Sequence, residues 1–397
     1  MATFATFPAN TLIDPVPFKL GIHDTAIEEL QTLLKITKLA KPTYENTTKD
    51  ANYGVSRDWL EEAVRFWRED FDWRKHEKEI NAYPQYTMLL AAPGQKSYRI
   101  HFAALFSQKR DAVPIIMFHG WPGSFLEFLP VLTHLQKEYT PETLPHHVIV
   151  PSLPGFAFSD PPPLECDFNL GNVAAIMDQL MVNLGFGDGY VAQGGDLGSK
   201  VARILGSRYQ GCKAVHVNYC YLPEPENVKG EISEVDRRDI ARAQNFKETG
   251  SGYALEQATR PATLGIVLSS SPLALLAWVG EKFLEWSDES PSLDTIIEAV
   301  ALYWFTDTIS SSFYNYRQPY VSENAGGHAN KEYYIKKPFG YSSFAMEITP
   351  VPKAWVAETG ELVFYRRHDK GGHFAALEKP EVLWNDLKDF IEQVWVA

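Results

Sequence analysis

The spacing of hydrophobic positions changes near residue 95, and this change divides the chain into regions of different character. Before that point, Trp59, Val64, Phe66 and Trp67 recur with a partly helical period in a segment rich in proline and charge. Residues 1–95 are therefore predicted to be mainly helical. After residue 95, short apolar runs alternate with helical segments or turn sequences, which predicts a different architecture.

The apolar runs after residue 95 have the length of β-strands. The predicted strands are Ile100–Phe106, Val113–Phe118, His147–Val150, Tyr190–Gln193, Ala214–Val217, Phe339–Phe344 and Leu362–Tyr365. Strands that alternate with helices form a mostly parallel sheet with helices on both faces. The sequence therefore predicts an α/β fold.

The strand pattern is interrupted between residues 223 and 324. Three helical segments replace it, Val235–Thr249, Leu273–Ser287 and Leu293–Phe305. A helical insertion between two strands of one sheet is typical of a cap, which covers the carboxyl edge of a parallel sheet, where ligands bind. We therefore expect a sheet domain in two parts, 96–222 and 325–397, with a helical cap at 223–324.

Composition and charge exclude some functions. The 397 residues are 45% hydrophobic and carry a formal net charge of -13. An acidic chain without a basic cluster does not suit the phosphate backbone of nucleic acids. The N-terminus lacks the pattern of a signal peptide, and the most apolar stretch, Pro272–Gly280, is about half the ~18 residues of a membrane span. A soluble, cytoplasmic protein without a membrane anchor is expected.

A glycine-rich turn follows the predicted strand Tyr190–Gln193. It reads GGDLG over residues 194–198, has Asp196 at its centre, and precedes a helical segment at Ser199–Gly206. A nucleophile flanked by small residues between a strand and a helix is the nucleophile elbow of the α/β-hydrolase fold. An aspartate in that position attacks a saturated carbon and forms an ester, which water then cleaves. Alone, the segment also fits a turn with a helix-capping aspartate.

A second turn, HGWP at residues 119–122, follows the predicted strand Val113–Phe118. In the α/β-hydrolase fold, the loop after this strand and the residue after the nucleophile provide the backbone N–H groups of the oxyanion hole. We assign these groups to Trp121 and Leu197. The turn also fits a plain strand-to-turn connection with a buried tryptophan.

A histidine in a glycine-containing loop follows the predicted strand Leu362–Tyr365. The chain order of nucleophile, acid and histidine is that of this fold, so His373 in GGHF is predicted to be the base that activates water. The base needs a carboxylate to orient it. Glu347, after the strand Phe339–Phe344, is preferred. Asp369 is the alternative, but its loop would have to fold back on itself.

Taken together, these motifs resemble those of the microsomal-type epoxide hydrolases, particularly the soluble fungal members. The resemblance covers nearly the whole chain through PFKLGI, YGVSRDWL, FDWRKHEKEIN, HGWPGSFLEF, PSLPGFAFS, YVAQGGDLGS, FKETGSGYALEQATRP, YNYR and GGHFAALEKPE. It implies an α/β-hydrolase fold with a mostly parallel sheet and a helical cap insertion. It also implies that residues 1–95 form the N-terminal meander of the family.

The resemblance implies further site residues. It assigns two cap tyrosines that donate to the epoxide oxygen to Tyr253, in FKETGSGYALEQATRP, and Tyr316, in YNYR. A phenol is a suitable acid for the alkoxide that ring opening produces. We also expect Trp121 and Phe374 to contact the substrate. The soluble members often have Asp as the triad acid, whereas this chain has Glu347, and the N-terminal anchor of microsomal relatives is not expected here.

The resulting hypothesis is hydrolysis of a small-molecule epoxide to a vicinal diol, without a cofactor or metal. Asp196 forms the covalent ester, and His373 activates the water that cleaves it. One alternative is a dehalogenase of the same fold, but such enzymes tend to place Trp after the nucleophile, and Leu197 has no donor in its side chain. The other is a non-catalytic ligand-binding protein, which needs no intact set of nucleophile, base and acid. The resemblance suggests a homodimer.

Overall fold

A nine-stranded sheet runs through the part of the chain that the computed structural model describes, residues 3–50, 52–91, 96–225, 232–321 and 327–395. Its strands are β1 (Val16–Pro17), β2 (Gln85–Ala91), β3 (Ser97–Leu105), β4 (Val113–Phe118), β5 (His146–Pro151), β6 (Tyr190–Gly194), β7 (Cys212–Val217), β8 (Ile335–Met346) and β9 (Gly360–Gly372).

Helices surround this sheet in four groups. The N-terminal group is α1 (Asp24–Ile36), α2 (Tyr44–Thr47), α3 (Arg57–Glu69) and α4 (Trp73–Ile80). Between sheet strands lie α5 (Leu129–Glu138), α6 (Leu170–Met181) and α7 (Asp196–Arg208). The cap group is α8 (Glu234–Asn245), α9 (Gly252–Thr259), α10 (Pro261–Ser269), α11 (Pro272–Trp286), α12 (Leu293–Thr306) and α13 (Tyr314–Val321). The C-terminal part adds α14 (Lys353–Ala357), α15 (Ala375–Glu378) and α16 (Pro380–Val394).

The strand order is β1-β2-β3-β5-β4-β6-β7-β8-β9. In this spatial order, each pair of neighbours from β5 through β4, β6, β7 and β8 to β9 is parallel. The pairs β1–β2, β2–β3 and β3–β5 are antiparallel. Every residue of β4 is buried, as expected of a parallel strand that is covered on both faces. The mostly parallel α/β sheet predicted from the sequence is confirmed.

The N-terminal region differs from its prediction, because it is not helical throughout. Helices α1 to α4 lie there, but Gln85–Ala91 forms β2, which pairs with β3 along its whole length. The predicted domain boundaries at residues 95 and 324 lie outside the described residues.

The helices α8 to α13 connect β7 to β8 and form the helical cap insertion. The first predicted segment corresponds to α8 together with the short π-helix Phe246–Gly250 that continues it. The other two correspond to α11 and α12. Helices α9, α10 and α13 were not predicted. The buried side chains form one continuous cluster that includes Trp67 of α3, Phe118 of β4 and Trp286 of α11, so the N-terminal helices and the cap share a core with the sheet.

In the described residues, no single helix is both long enough and apolar enough to span a membrane. Helices α10 and α11 reach this length and composition only as a pair, which is bent by 115°.

Candidate active site

Asp196 lies at the sharp turn between β6 and α7. Gly195 is the N-cap, and Asp196 is the first residue of the helix, with a left-handed φ of 41°. The turn brings the chain so close to β4 that a Cβ on Gly198 would lie 2.3 Å from the carbonyl oxygen of Phe118. A larger residue would separate helix and strand, which explains the small residue at this position of the motif. The predicted strand-turn-helix arrangement is present.

The two carboxylate oxygens of Asp196 have different surroundings. Oδ1 accepts a hydrogen bond from the backbone N–H of Trp121 at 2.8 Å. The backbone N–H of Leu197 also donates to the carboxylate. Oδ2 lies 3.3 Å from Nε2 of His373. Backbone N–H groups therefore hold the carboxylate, and Oδ2 lies next to the imidazole.

These surroundings keep Asp196 ionised. Burial alone would raise the pKa of this carboxyl, but the charge of His373, together with the N–H groups of Trp121 and Leu197, holds the pKa below its ordinary value. The N-terminus of the 13-residue α7 acts in the same direction, since the helix dipole favours a negative charge there. The Asp196 side chain is 15% exposed, so the carboxylate is both charged and accessible.

His373 follows β9 directly, because this strand runs to Gly372 rather than ending earlier as predicted. Gly371, with a φ of 102°, turns the chain. The backbone N–H of His373 then donates to the carbonyl oxygen of Trp286 at 2.8 Å. Nδ1 of the imidazole lies 2.7 Å from Oε1 of Glu347, and both side chains are buried. The ring is therefore fixed from the side opposite to Asp196.

Of the two carboxylates considered from the sequence, Glu347 lies beside His373, and Asp369 is exposed on β9. Oε1 of Glu347 also accepts the N–H of Ile348 at 2.6 Å, which fixes the carboxylate. Burial opposes a charge on His373, but the carboxylates of Glu347 and Asp196 outweigh it and raise the pKa of His373 well above its ordinary value. The imidazole is therefore protonated near neutral pH, between two carboxylates.

The Nε2 atom of His373 is available for chemistry. Its 3.3 Å approach to Oδ2 of Asp196 is a close charge contact, but it lacks the direction of a hydrogen bond, and Nε2 has no such bond within the described residues. Nδ1, in contrast, is fully engaged by Glu347. The imidazole is thus anchored at one nitrogen and open at the other.

The two predicted tyrosines come from the cap, Tyr253 from α9 and Tyr316 from α13, with ring centroids 5.8 Å apart. Both rest on Trp121. Tyr253 stacks on its ring at 5.3 Å, and Tyr316 meets it edge-on at 5.7 Å. Burial raises the pKa of both phenols, and the charge of Asp196 adds to the effect. The tyrosines therefore lie near the carboxylate and stay protonated.

Trp121 and Phe374, the predicted substrate contacts, both border a cavity of about 10 Å³ beside Asp196 and His373. Trp121 is fully buried. The ring of Phe374 stacks on Phe283 at 4.6 Å and is 2% exposed. The structure thus brings all the predicted site residues together, although Phe374 belongs more to the packing behind His373 than to an open surface.

A much larger cavity, of about 690 Å³, opens on the cap side of the site. Tyr253 and Trp286 border it, together with Phe246 and the N-terminal residues Asn52 to Gly54. Its volume lies in the range of small-molecule sites. Since Tyr253 and Trp286 also pack against Trp121 and His373, they form the boundary between this cavity and the carboxylate.

Two cap residues at the site were not found from the sequence. The ring of Trp286 meets His373 edge-on at 5.1 Å, and the backbone carbonyl oxygen of Trp286 accepts the backbone N–H of His373. Arg242 donates from Nε to the carbonyl oxygen of Glu347 at 2.8 Å and from Nη2 to that of Met346 at 3.1 Å. Neither residue stands in a motif with a chemical signature, and Arg242 is one of several charged residues in α8, so only the packing of the cap reveals them.

Comparisons with known proteins agree with this geometry. A family model described as the epoxide hydrolase N terminus matches residues 15–128, and one described as the alpha/beta hydrolase fold matches residues 113–380. The crystal structure of Aspergillus niger epoxide hydrolase is 48% identical, with a TM-score of 0.93, and the match covers 99% of this chain and 100% of that chain.

Animal proteins are similar over nearly the same length. Epoxide hydrolase 1 of Sus scrofa is 32% identical over 419 residues, which cover 94% of this chain and 88% of that protein. Juvenile hormone epoxide hydrolase from the silkworm Bombyx mori is 25% identical, with a TM-score of 0.84, and the match covers 96% of this chain and 95% of that chain. These similarities, together with the helical cap and the aspartate at the turn between β6 and α7, show that the chain belongs to the epoxide hydrolase family of the α/β-hydrolases.

Proposed function

We propose that this enzyme hydrolyses epoxides to vicinal diols through a covalent ester on Asp196. The observation that carries the proposal is the arrangement around this carboxylate. The backbone N–H of Trp121 holds Oδ1, an imidazole lies beside Oδ2, and two protonated phenols lie nearby in the cap. Each of these groups has a task in ester formation or ester cleavage.

In the first step, Oδ2 of Asp196 attacks one ring carbon of the epoxide. The new C–Oδ2 bond forms as the C–O bond of the ring breaks, and Tyr253 or Tyr316 gives its proton to the ring oxygen. The negative charge of Asp196 raises the pKa of both phenols. Because the attack consumes that charge, the phenols become stronger acids as the alkoxide develops.

In the second step, His373 acts as the base. Ester formation removes the Asp196 charge, which is one of the groups that raise the pKa of His373. The imidazole therefore loses its proton more readily once the ester exists, and this proton restores the phenol that was ionised in the first step. Nε2 then takes a proton from water, whose oxygen attacks Cγ of Asp196, and the N–H groups of Trp121 and Leu197 stabilise the charge on Oδ1. The Cγ–Oδ2 bond breaks, and Oδ2 takes the proton from His373 and leaves in the diol. The new carboxyl of Asp196 then gives its own proton to His373, which restores the starting carboxylate and imidazolium.

The substrate is a small-molecule epoxide that enters from the 690 Å³ cavity beside Tyr253. The cytoplasmic location and the homodimer expected from the sequence stay predictions. The dehalogenase alternative is disfavoured, because the site offers phenols suited to an alkoxide, and the residue after the nucleophile is Leu197. The non-catalytic alternative does not account for the coupled Asp196, His373 and Glu347.

An isotope experiment tests the proposal. In a single turnover of styrene oxide with excess enzyme in oxygen-18 water, the first diol is expected to be largely unlabelled, and the label should appear in Asp196. Label in the first diol would mean direct attack by water. Halide release from haloalkanes, with no diol from styrene oxide, would favour the dehalogenase.

A further inference from the structure

The 10 Å³ cavity beside Asp196 lies on a side of the carboxylate that the cap tyrosines do not border. Its polar side chains, apart from Asp196 and His373, are His119, Asn218 and Glu127. Nε2 of His119 accepts the N–H of Leu153 at 3.1 Å, and Oδ1 of Asn218 accepts the side-chain amide of Gln193 at 2.9 Å. Glu127 is the remaining polar side chain, and the mechanism above does not use it.

Glu127 belongs to the short 3-10 turn Phe125–Phe128 that follows the HGWP loop. Its carboxyl folds back over Gly123, so that a Cβ on this glycine would lie 1.3 Å from Oε1. No side chain in the described part of the molecule donates a hydrogen bond to it; the nearby donor is the backbone N–H of Ser124. Burial raises the pKa of Glu127 to about 8, with the Asp196 charge acting in the same direction and His373 in the opposite one. The carboxyl is therefore largely neutral at pH 7.

Glu127 also borders a second cavity, of about 20 Å³. Its border includes Gly123, Thr295 and Glu298, and the last two are only partly buried on α12. Both cavities have the size of a single water molecule. Among the described residues, Glu127 is the one that lines both cavities, so its side chain can contact water in either of them.

We infer that Glu127 is a positioning residue for the water that cleaves the ester. The carbonyl oxygen of its side-chain carboxyl group accepts a hydrogen bond from this water, while Nε2 of His373 takes the other hydrogen of the water as a proton. The second cavity is the route by which the water is replaced. This rests on the proposed two-step function. Glu127 keeps its own proton throughout. The proton taken by His373 passes to the diol oxygen as the Cγ–Oδ2 bond of Asp196 breaks.

Two substitutions at Glu127 separate this role from a structural one. Glu127→Leu removes the acceptor and is expected to slow ester hydrolysis by about 10- to 100-fold, the cost of a misplaced reactant. Ester formation should stay within about threefold of the parent. Glu127→Gln keeps a carbonyl oxygen and should restore hydrolysis to within about threefold. Stopped-flow measurement of both phases gives the rates, and intact-mass spectrometry shows the ester that accumulates. Since only hydrolysis slows, kcat and KM should fall together in the Leu variant.

Gly123→Ala is a second variant, in case Glu127→Leu does not fold. The added methyl takes the position of Oε1 and displaces the carboxyl without removing it, so the same selective loss is expected. The matched control is Asp178→Asn. This carboxyl on α6 is also half-buried, and burial raises its pKa. It lies away from the site and accepts a hydrogen bond from the hydroxyl of Tyr190, at 2.7 Å. The control should leave both phases unchanged.

Three outcomes would overturn the inference: hydrolysis at the parental rate in Glu127→Leu or Gly123→Ala, a Gln variant as slow as the Leu variant, or an equal loss in Asp178→Asn. Failure of the proposed function looks different. In that case no ester would form in the parent enzyme, whatever residue stands at position 127.

Discussion

The sheet core and the cap meet at one site but provide different kinds of groups. The core provides charges. Asp196, Glu347 and His373 lie at the carboxyl ends of β6, β8 and β9, where backbone N–H groups and each other's charges hold them. The cap provides the uncharged phenols of Tyr253 and Tyr316, which rest on aromatic contacts with Trp121.

This difference suggests a division of the reaction between the two regions. Ester formation needs the core carboxylate and a cap phenol, because a charge moves from Asp196 to the leaving oxygen. The groups that react in ester hydrolysis all lie in the core, since the phenols have no partner once the alkoxide is protonated. Substitutions in the two regions should therefore affect different phases of the same time course.

The largest separation is expected for His373→Gln. Without a base, ester hydrolysis should fall by up to ~10⁴-fold, while ester formation, which uses the Asp196 carboxylate and a cap phenol but no base, continues. Intact-mass spectrometry should find protein heavier by one substrate molecule. His134→Gln, at a histidine on the outside of the fold beside Glu138, is the control. Only unmodified His373→Gln protein after exposure to a good substrate would contradict the role.

The opposite effect is expected in the cap. The double variant Tyr253→Phe, Tyr316→Phe lacks both phenols that rest on Trp121, and ester formation should slow by ~10²–10⁴-fold, whereas each single variant keeps one donor and loses less. Tyr314→Phe, at a buried hydroxyl on the same α13 that has no partner in the described residues, should behave as the parent. A double variant that forms ester at the parental rate would remove the chemical argument for epoxides over halides.

A smaller effect within the core tests the choice of acid. Glu347→Gln leaves a neutral amide beside His373, which stabilises the imidazolium less, and hydrolysis should slow by roughly 10²-fold, more than ester formation does. Asp369→Asn, at the exposed carboxylate of β9, is the matched change. If the Asp369 variant is the slower of the two in stopped-flow hydrolysis, the acid has been assigned wrongly.

The core could be predicted from the sequence far better than the cap, for physical reasons. Strands β4 to β7 are short apolar runs between turns, and their predicted bounds are close to the observed ones. β9 is longer than predicted, because its second half, RRHDKGG, is polar and only partly buried. β2 was missed because QYTMLLA lies in a segment whose other apolar positions follow a helical period.

The sequence of the two cap helices that carry the tyrosines has no comparable pattern from which a helix could be predicted. Helix α9 has no side-chain cap, and α13 contains Pro319 in its interior. Tyr253 and Tyr316 were therefore assigned only through the resemblance to a family, whereas Asp196 could be argued from the turn that surrounds it. Glu127, whose importance depends on two cavities formed by distant segments, could not be inferred from its neighbours in the chain.

The pH dependence gives a further separation of the two phases. The pKa of Asp196 is lowered, so the nucleophile stays ionised as the pH falls, and ester formation should change little. Hydrolysis needs neutral His373, whose pKa is raised by Glu347 and, before the ester forms, by Asp196; Glu127 also faces it. Below the pKa of His373 in the ester, hydrolysis should fall about tenfold per pH unit, and the fraction of enzyme held as ester should rise. A constant ratio of the two rates between pH 8 and 5 would argue against His373 as the base.

The smallest expected effect comes from Arg242, because it crosses the boundary between the two regions. This residue of the cap helix α8 donates to the carbonyl oxygens of Glu347 and Met346 at the end of β8. Arg242→Leu should let that segment shift and slow hydrolysis by roughly 3- to 10-fold, with ester formation unchanged, because the hydrogen bonds position the acid without taking part in the chemistry. Arg238→Leu, on the same helix but 71% exposed beside Glu234, is the control. Stopped-flow traces of both variants decide the point. A loss confined to ester formation would place Arg242 with the phenols, and the cap would then act on the first step alone.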